Sequence, residues 1–237
     1  MKKIKVVLFD LDGTLLPMEL DLFMEQYLGS LTRKVASFGY APKVFSGAIM
    51  NGIIAALKND GSDTNENVFW RAFSEAYGGK TVEKHIFDDY YDKDFGKLRD
   101  VCGFNPEARH AVMKIKEMGF EVALATNPAF PETATYQRME WAGFSPSDFS
   151  LVTTYENSSY CKPNPAYYTE VCEKLSVSPG ECLMVGNDTS DDLASLKCGM
   201  SIFLLTDCLI NKSGIDVTAY PHGGFSELVE YVGKINK

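Results

Sequence analysis

An apolar segment that ends in two carboxylates constrains this chain more than any other feature. Residues 4–9 are apolar except for Lys5, and Asp10 and Asp12 follow them. The length and the β-branched content of the segment are typical of a buried strand. Open α/β sheets bind ligands in the crevice outside the carboxyl ends of their strands, so acids placed there can serve a site. Gly13 then permits a sharp reversal of the chain.

The pairing of Asp10 with Asp12 indicates a divalent cation. Two carboxylates in one small site repel each other, and a buried carboxylate is costly unless it is paired or coordinates a metal. Mg²⁺ prefers oxygen ligands and is commonly held by one or two carboxylates together with substrate phosphates. On its own, however, Asp-x-Asp-Gly also fits an ordinary acidic turn after a strand.

Composition limits the classes of function. A chain of 237 residues with 45% hydrophobic residues can bury a sizeable core and carry a second small domain. Its 23 basic and 32 acidic residues give a net charge of −9, which disfavours binding to nucleic acid or to an anionic membrane surface. We see no signal peptide and no segment of membrane-spanning length. The six cysteines form no C-x-x-C pair, so we expect reduced thiols in a cytoplasmic protein.

Residues 17–101, which we call the insert, interrupt the alternation of strands and helices. Apolar residues at helical spacing predict helices over 18–38, 42–57, 65–77 and 82–91, and a helical or irregular return over 95–101. We therefore predict an all-helical unit after the first strand. Its aromatic residues either form the core of this bundle or line a pocket, and their helical spacing favours the core.

Beyond the insert, strands and helices alternate. After a helix over 106–118, for which Asn105 is the expected N-cap, we predict strands over 121–125, 149–153, 182–185 and 201–205. Helices are expected over 132–141, 165–175, 191–197 and 225–232, and the turn-rich residues 208–224 are not assigned. This pattern predicts an α/β fold with a Rossmann-like parallel sheet and helices on both faces.

Further polar residues follow the later strands. Thr126 and Asn127 come directly after the second strand, where a hydroxyl and a backbone N–H can donate to phosphate oxygens. Lys162 precedes two prolines that lead into a helix, and it can supply positive charge at the edge of the sheet. Asp188 and Asp192 follow the strand over 182–185, which repeats the arrangement seen at Asp10.

In chain order, these segments resemble the four signature motifs of the haloacid dehalogenase (HAD) superfamily. The matching segments are Phe9-Asp10-Leu11-Asp12-Gly13-Thr14, Thr126-Asn127, Lys162-Pro163-Asn164-Pro165 and Gly186-Asn187-Asp188. The insert resembles the C1-type helical cap of the family. The resemblance therefore implies a core domain of residues 1–16 and 102–237 and a cap domain of residues 17–101.

The resemblance also implies roles for individual residues. Asp10 is the expected nucleophile, which forms an aspartyl-phosphate, and Asp12 is the expected acid and base. Phosphate is expected to contact Thr126, Asn127 and Lys162. The expected Mg²⁺ ligands are Asp10, the backbone carbonyl of Asp12, and Asp188, with Asp192 supporting them from outside. Many relatives have an acid directly after the glycine of the last motif, where this chain has Asn187, so either Asn187 or Asp188 faces the metal.

By this resemblance, we expect a Mg²⁺-dependent phosphatase that acts on a small phosphorylated metabolite. A phosphomutase uses the same pair of aspartates and is the first alternative. A catalytically idle binding protein on the same fold is the second. A dehalogenase is disfavoured, because family members of that type usually lack the second aspartate, which is present here as Asp12. The sequence indicates neither the identity of the substrate nor the oligomeric state.

Overall fold

A parallel β-sheet forms the centre of the protein. The computed structural model describes residues 3–79 and 82–237, and within them five strands pair in the order β2-β1-β3-β4-β5. The strands are β1 (Val6–Phe9), β2 (Glu121–Leu124), β3 (Cys182–Gly186), β4 (Ser201–Leu205) and β5 (His222–Gly223). All four pairings are parallel. Strand β1 is fully buried between β2 and β3, so the residues that follow it lie at the middle of the carboxyl edge.

Helices cover both faces of this sheet, because successive strand residues point to opposite sides. The helices after the insert are α5 (Pro106–Glu117), α6 (Glu132–Trp141), α7 (Pro165–Lys174) and α8 (Phe225–Lys234). Val7 and Phe9 pack in one hydrophobic cluster with α5, α6 and α8. Val6 and Leu8 pack in a second cluster with α7. The predicted α/β fold with a Rossmann-like parallel sheet is confirmed.

The insert is helical, as predicted. It contains α1 (Leu20–Ala36), α2 (Pro42–Leu57), α3 (Asn65–Ala76), α4 (Lys84–Lys93) and a 3₁₀ segment, Phe95–Val101. Aromatic rings pack at its centre: the ring centroid of Phe45 lies 5.6 Å from that of Phe73 and 6.0 Å from that of Phe87. Within the described residues, no helix of the protein has the length and apolar character needed to span a membrane.

The two ends of the insert lie side by side. Met18 and Cys102 form an antiparallel bridge, and the backbone N–H of Gly103 donates to the carbonyl oxygen of Pro17 at 2.6 Å. Farther along, the fully buried side chain of Asn65 donates to the carbonyl oxygen of Pro128, in the loop after β2, at 3.1 Å. The insert therefore leaves and rejoins the core at one point and rests on the carboxyl edge of the sheet. Its division from the core as a separate domain stays a prediction.

The predicted strand over 149–153 is only partly formed. This segment runs beside β2 but forms a single bridge there, between Leu124 and Val152. Three backbone hydrogen bonds nevertheless join the segment to β2, from Ser150 to Val122, from Leu124 to Leu151 and from Thr153 to Leu124, and the side-chain amide of Asn157 donates to the Val152 carbonyl oxygen, which faces away from β2, at 2.9 Å. The fifth strand is instead β5, two residues in the unassigned segment 208–224, which are too few to show a periodic pattern.

The predicted α-helix over 191–197 is a 3₁₀ helix, Asp192–Cys198. The hydroxyl of Ser195 donates to the carbonyl oxygen of Asp192 at 2.6 Å, and such local side-chain bonds compete with the regular helical pattern. The other elements begin and end within about two residues of the predicted positions.

Candidate active site

A buried lysine joins two buried aspartates at the carboxyl edge of the sheet. The Nζ atom of Lys162 lies 2.8 Å from Oδ1 of Asp10 and 2.7 Å from Oδ1 of Asp192. Asp10 follows β1, and its backbone N–H donates to the Val185 carbonyl oxygen at 2.9 Å, which fixes it to the neighbouring strand β3. Residues of the first and third predicted motifs and Asp192, four residues after Asp188 of the last motif, therefore meet in one ion-paired cluster.

Burial controls the ionisation of this cluster. Loss of solvent raises the pKa of Asp10 to about 7, against the opposing charge of Lys162 and with further raising by Asp192 and Asp12. For Lys162, burial lowers the pKa, but the charges of Asp10 and Asp192 raise it well above its usual value. Lys162 is therefore cationic, whereas Asp10 needs more positive charge nearby to be fully ionised at neutral pH.

Asp192 approaches the end of β3 because residue 186 is a glycine. A Cβ atom on Gly186 would lie 2.0 Å from Oδ2 of Asp192, so a larger residue cannot occupy this position without displacing the carboxylate. Oδ2 of Asp192 accepts the backbone N–H of Asp188 at 2.9 Å, while its Oδ1 accepts Lys162. Asp192 thereby fixes both the lysine and the turn that carries Asp188.

Arg138 is a residue of this site that the sequence analysis missed. Its fully buried guanidinium forms an ion pair with Oδ2 of Asp12 and stacks over the ring of Phe130, 4.5 Å from the ring centroid. The other carboxylate oxygen of Asp12, Oδ1, is buried and has no hydrogen-bond partner among the described residues. The sequence carried one sign of this role. Arg138 lies at helical spacing with Ala134 and Trp141, so it is a charged residue on the buried face of α6.

Thr126 and Asn127 lie on the β2 side of the cluster. The carbonyl oxygen of Thr126 accepts the hydroxyls of Thr153 and Tyr167, both at 2.8 Å, which fixes the backbone directly after the strand. The side-chain nitrogen of Asn127 donates to Asp191 at 3.3 Å. Its Oδ1 atom is buried and, within residues 3–79 and 82–237, has no hydrogen-bond partner.

Asn187 and Asp188 have different surroundings. Oδ1 of Asn187 accepts the hydroxyl of Thr14 at 2.8 Å, and its Nδ2 donates to the carbonyl oxygen of Cys208 at 2.7 Å. Gly13 has a φ of +81°, and a Cβ atom there would lie 2.3 Å from Nδ2 of Asn187. The amide of Asn187 thus packs beneath the turn after β1, and both its oxygen and its nitrogen form hydrogen bonds within the protein. Oδ1 of Asp188 accepts the backbone N–H groups of Ser190 and Asp191 at 2.6 and 3.0 Å.

The cluster carries an excess of negative charge. It contains five aspartates and two cations, namely Asp10, Asp12, Asp188, Asp191, Asp192, Lys162 and Arg138. Burial raises the pKa of Asp191 to about 6. Among the described residues, no group of three or more His, Cys, Asp or Glu side chains is arranged to hold a metal ion. The predicted ligand set contains only two carboxylate side chains and a backbone carbonyl, and its hard oxygen donors in an excess of negative charge fit a small divalent cation.

A parallel sheet with acids and a buried lysine at the end of its central strand has the architecture of an α/β enzyme. The family model described as haloacid dehalogenase-like hydrolase matches residues 4–199, and the chain therefore belongs to this family. The predicted membership, and with it the prediction of a HAD-like hydrolase, are confirmed.

Comparisons with individual proteins agree with this assignment. The chain is 28% identical over 216 residues to a phosphoglycolate phosphatase of Vibrio cholerae, a match that covers 87% of this chain and 86% of the relative. A HAD phosphatase from Thermococcus onnurineus has a similar structure, with a TM-score of 0.58 and 21% identity over 99% of this chain and 100% of that one. A putative β-phosphoglucomutase from Thermotoga maritima also has a TM-score of 0.58, with 19% identity over 98% of this chain and 100% of that one. At these identities the structural matches show the fold alone.

Proposed function

We propose that this hydrolase is a Mg²⁺-dependent phosphatase that acts on a small phosphorylated metabolite through an aspartyl-phosphate on Asp10. The observation that carries the proposal is the contact between Asp10 and Lys162 at the end of the central strand, at 2.8 Å. Relatives named as phosphatases, such as the Vibrio cholerae protein, support the reaction class.

Asp10 attacks phosphorus as the nucleophile. Its Oδ1 contacts Lys162, which holds the carboxylate in place, and its Oδ2 lies 3.2 Å from the hydroxyl oxygen of Thr14, whose hydrogen points mainly to Asn187. A fixed nucleophile beside a fixed cation lowers the barrier by positioning and by stabilising the charge on the transferring phosphoryl group. The phosphate oxygens are bound by Thr126, Asn127 and Lys162.

Asp12 serves as acid and then as base. It protonates the leaving group in the first half-reaction and activates water in the second, as one residue that changes role between two steps. Arg138 holds one oxygen of its carboxylate, and Oδ1, which has no partner among the described residues, is left for the leaving group or the water.

The metal ligands in this proposal are the side chains of Asp10 and Asp188 and the backbone carbonyl of Asp12. Between the two candidates of the last motif we choose Asp188, because both ends of the Asn187 amide already have protein partners. Mg²⁺ supplies positive charge that neutralises the phosphate and favours the ionised form of Asp10. Asp192 stays outside the ligand set and holds Lys162.

The insert acts as the cap domain in this proposal: it covers the site, excludes bulk water and selects the substrate. We place the reaction in the cytoplasm, and the free thiols of all six cysteines agree with a reducing compartment.

A phosphomutase is the second candidate, because it would use the same pair of residues, Asp10 and Asp12. Both enzymes form the same intermediate, but a mutase protects it from water until a sugar hydroxyl arrives. A rapid-mixing time course with an activated phosphomonoester, Mg²⁺ and no sugar tests the proposal. We expect inorganic phosphate to be released over many turnovers per active site. A stoichiometric burst of product followed by almost no further turnover, which a hexose phosphate restores, would identify a mutase. The absence of any phosphoryl transfer would indicate an idle binding protein.

A further inference from the structure

A cavity of about 480 Å³ lies where the helices of the insert meet the core loops after β2. Aromatic rings form a large part of its walls, with Tyr27 from α1, Phe69 and Trp70 from α3, and Phe130 and Tyr155 from the core loops. The volume is within the range of sites for small molecules, which are typically apolar and aromatic with a few polar groups. Several aromatic residues of the insert therefore both build its core and line a pocket.

The cavity borders the catalytic groups at two points. Ala129 lines it and is separated from Asn127, in the proposed phosphate site, by Pro128 alone. Phe130 also lines it, and the ring of Phe130 contacts the guanidinium of Arg138, which pairs with Asp12. The cavity is thus next to both the phosphate-binding residues and the proposed acid and base, where the leaving group of a substrate has to bind.

The charge of the cavity limits what it can bind. Glu66, Asp88 and Glu156 line it, and none of the lining residues that the structure describes is Lys, Arg or His. Among the described lining residues, a leaving group with a carboxylate would meet these acids and no counter-ion, which is unfavourable once solvent is lost. Aromatic walls favour flat apolar groups, and they also attract rather than repel a positive charge.

We propose that the leaving group of the natural substrate contains an aromatic ring without negative charge, and that this ring binds in the cavity while the phosphate lies at Asp10. The inference rests on the proposed phosphatase function and names its substrate class. Phosphoglycolate, the substrate in the name of the Vibrio cholerae relative, has no ring that could fill the cavity. We therefore expect phosphoglycolate to be a poor substrate of this enzyme.

Kinetics with benzyl phosphate and 4-carboxybenzyl phosphate test the charge preference, because the two esters share the same reacting bond. We expect kcat/KM to be at least about 10-fold lower for the carboxylated ester. Asp88→Lys, at an exposed position on α4 that lines the cavity, should reduce the ratio of kcat/KM for benzyl phosphate to kcat/KM for the carboxylated ester. The matched control is Asp92→Lys, which is exposed on the same helix but does not line the cavity, and it should leave the ratio unchanged.

A second pair of variants tests whether the ring occupies the cavity. Ile53 lines it, whereas the next residue, Ile54, is 44% exposed on the outside of α2. Ile53→Phe should lower kcat/KM for benzyl phosphate several-fold and leave acetyl phosphate, whose leaving group is small, nearly unaffected. Ile54→Phe should change neither. Equal losses for both substrates in Ile53→Phe would contradict binding of the ring in the cavity.

Binding can also be measured without turnover. Trp70 lines the cavity and is one of two tryptophans, so its fluorescence reports on the binding of benzylphosphonate, which cannot be hydrolysed. Trp70→Phe supplies the background signal of Trp141. We expect tighter binding of benzylphosphonate than of its 4-carboxy derivative. If benzylphosphonate binds more tightly but no phosphate ester is hydrolysed, the proposed ligand of the cavity is supported and the proposed phosphatase activity is overturned. If acetyl phosphate is hydrolysed but the two benzyl compounds bind equally well, only the proposed ligand of the cavity is overturned.

Discussion

The buried guanidinium of Arg138 forms an ion pair with the carboxylate of Asp12. Arg138 belongs to α6 and Asp12 to the turn after β1, so the pair joins a helix on one face of the sheet to the carboxyl edge of the central strand. In the proposed mechanism, the residue that moves protons is therefore held by a buried guanidinium group.

The first prediction concerns this pair. Arg138→Met leaves the carboxylate of Asp12 without its ionic partner, and loss of one member of a buried pair typically costs about 3–5 kcal/mol in the free energy of unfolding. Adding Asp12→Asn to this variant should restore part of the loss. Arg109→Met is the control, because Arg109 and Asp148 form a more exposed pair, for which about 1 kcal/mol or less is expected. Urea unfolding of the wild type, these three variants and Asp12→Asn alone measures these effects, and purely additive losses would argue against coupling.

Arg138 also has a kinetic signature. If it positions Asp12 for the activation of water, Arg138→Lys should keep more activity than Arg138→Met, and the Met variant should accumulate the phosphoenzyme. With an aryl phosphate, rapid mixing should then show a stoichiometric burst of phenol that the wild type lacks. A lower rate without a burst would indicate that Arg138 only stabilises the fold.

The second prediction is that Asp10→Asn abolishes phosphate release, because an amide cannot act as the nucleophile. The variant should fold normally, since the substitution removes a negative charge from a cluster with an excess of them. Phosphate release is measured with an activated aryl phosphate at saturating Mg²⁺. Retention of more than about a tenth of the wild-type kcat, a change of less than ~1.4 kcal/mol in the barrier, would exclude Asp10 as the nucleophile.

The third prediction is a pH dependence of stability in the metal-free protein. Burial raises the pKa of Asp10 from 3.8 to about 7. An acid whose pKa is raised in the folded state stabilises that state fully at a pH below its pKa in the unfolded chain. This contribution to the free energy of unfolding is lost as the pH rises through its pKa in the folded state. The free energy of unfolding of the wild type should therefore fall relative to Asp10→Asn between pH 4 and pH 7, by up to ~4 kcal/mol. Urea unfolding of both proteins in chelator provides the comparison, and parallel pH profiles would contradict it.

The fourth prediction is a requirement for a hard divalent cation. Excess chelator should abolish turnover and Mg²⁺ should restore it, because the cluster holds more carboxylates than cations. Mg²⁺ should also raise the Tm of the wild type, since a ligand that binds only the folded state stabilises it. Asp188→Asn should reduce this shift in Tm, whereas the exposed Asp92→Asn should not. Full turnover in chelator would exclude the metal.

The fifth prediction concerns the insert as a separate domain. Replacing residues 18–101 by a short Gly/Ser bridge should leave a core that folds, because Pro17 and Gly103, which both remain, lie side by side and share a backbone hydrogen bond. The core should cleave an activated aryl phosphate with reduced selectivity among substrates. Circular dichroism and thermal unfolding measure the fold, and a chain that stays unfolded under all conditions would show that the helices belong to the core.

The sequence by itself determined the fold class and the positions of the motifs. A buried strand such as Val6–Phe9 is encoded by adjacent residues, and the acids that follow it must lie at the edge of the sheet wherever the other strands pair. The N-cap at Asn105 is equally local, and its side chain accepts the backbone N–H of Glu107 at 3.0 Å as expected. Four motifs in one order therefore sufficed to predict the family.

Only the tertiary structure decided how distant segments meet. Arg138 and Asp12 are far apart in the chain, and no local pattern specifies that they form an ion pair. The edge strand β5 depends on pairing with β4, because its two residues have no periodicity of their own. Likewise, Asn187 has both ends of its amide occupied only because the turn of Gly13 and Thr14 and the carbonyl of Cys208 lie against it. The charge of the cavity also depends on packing, since it combines side chains of the insert with those of loops from the core.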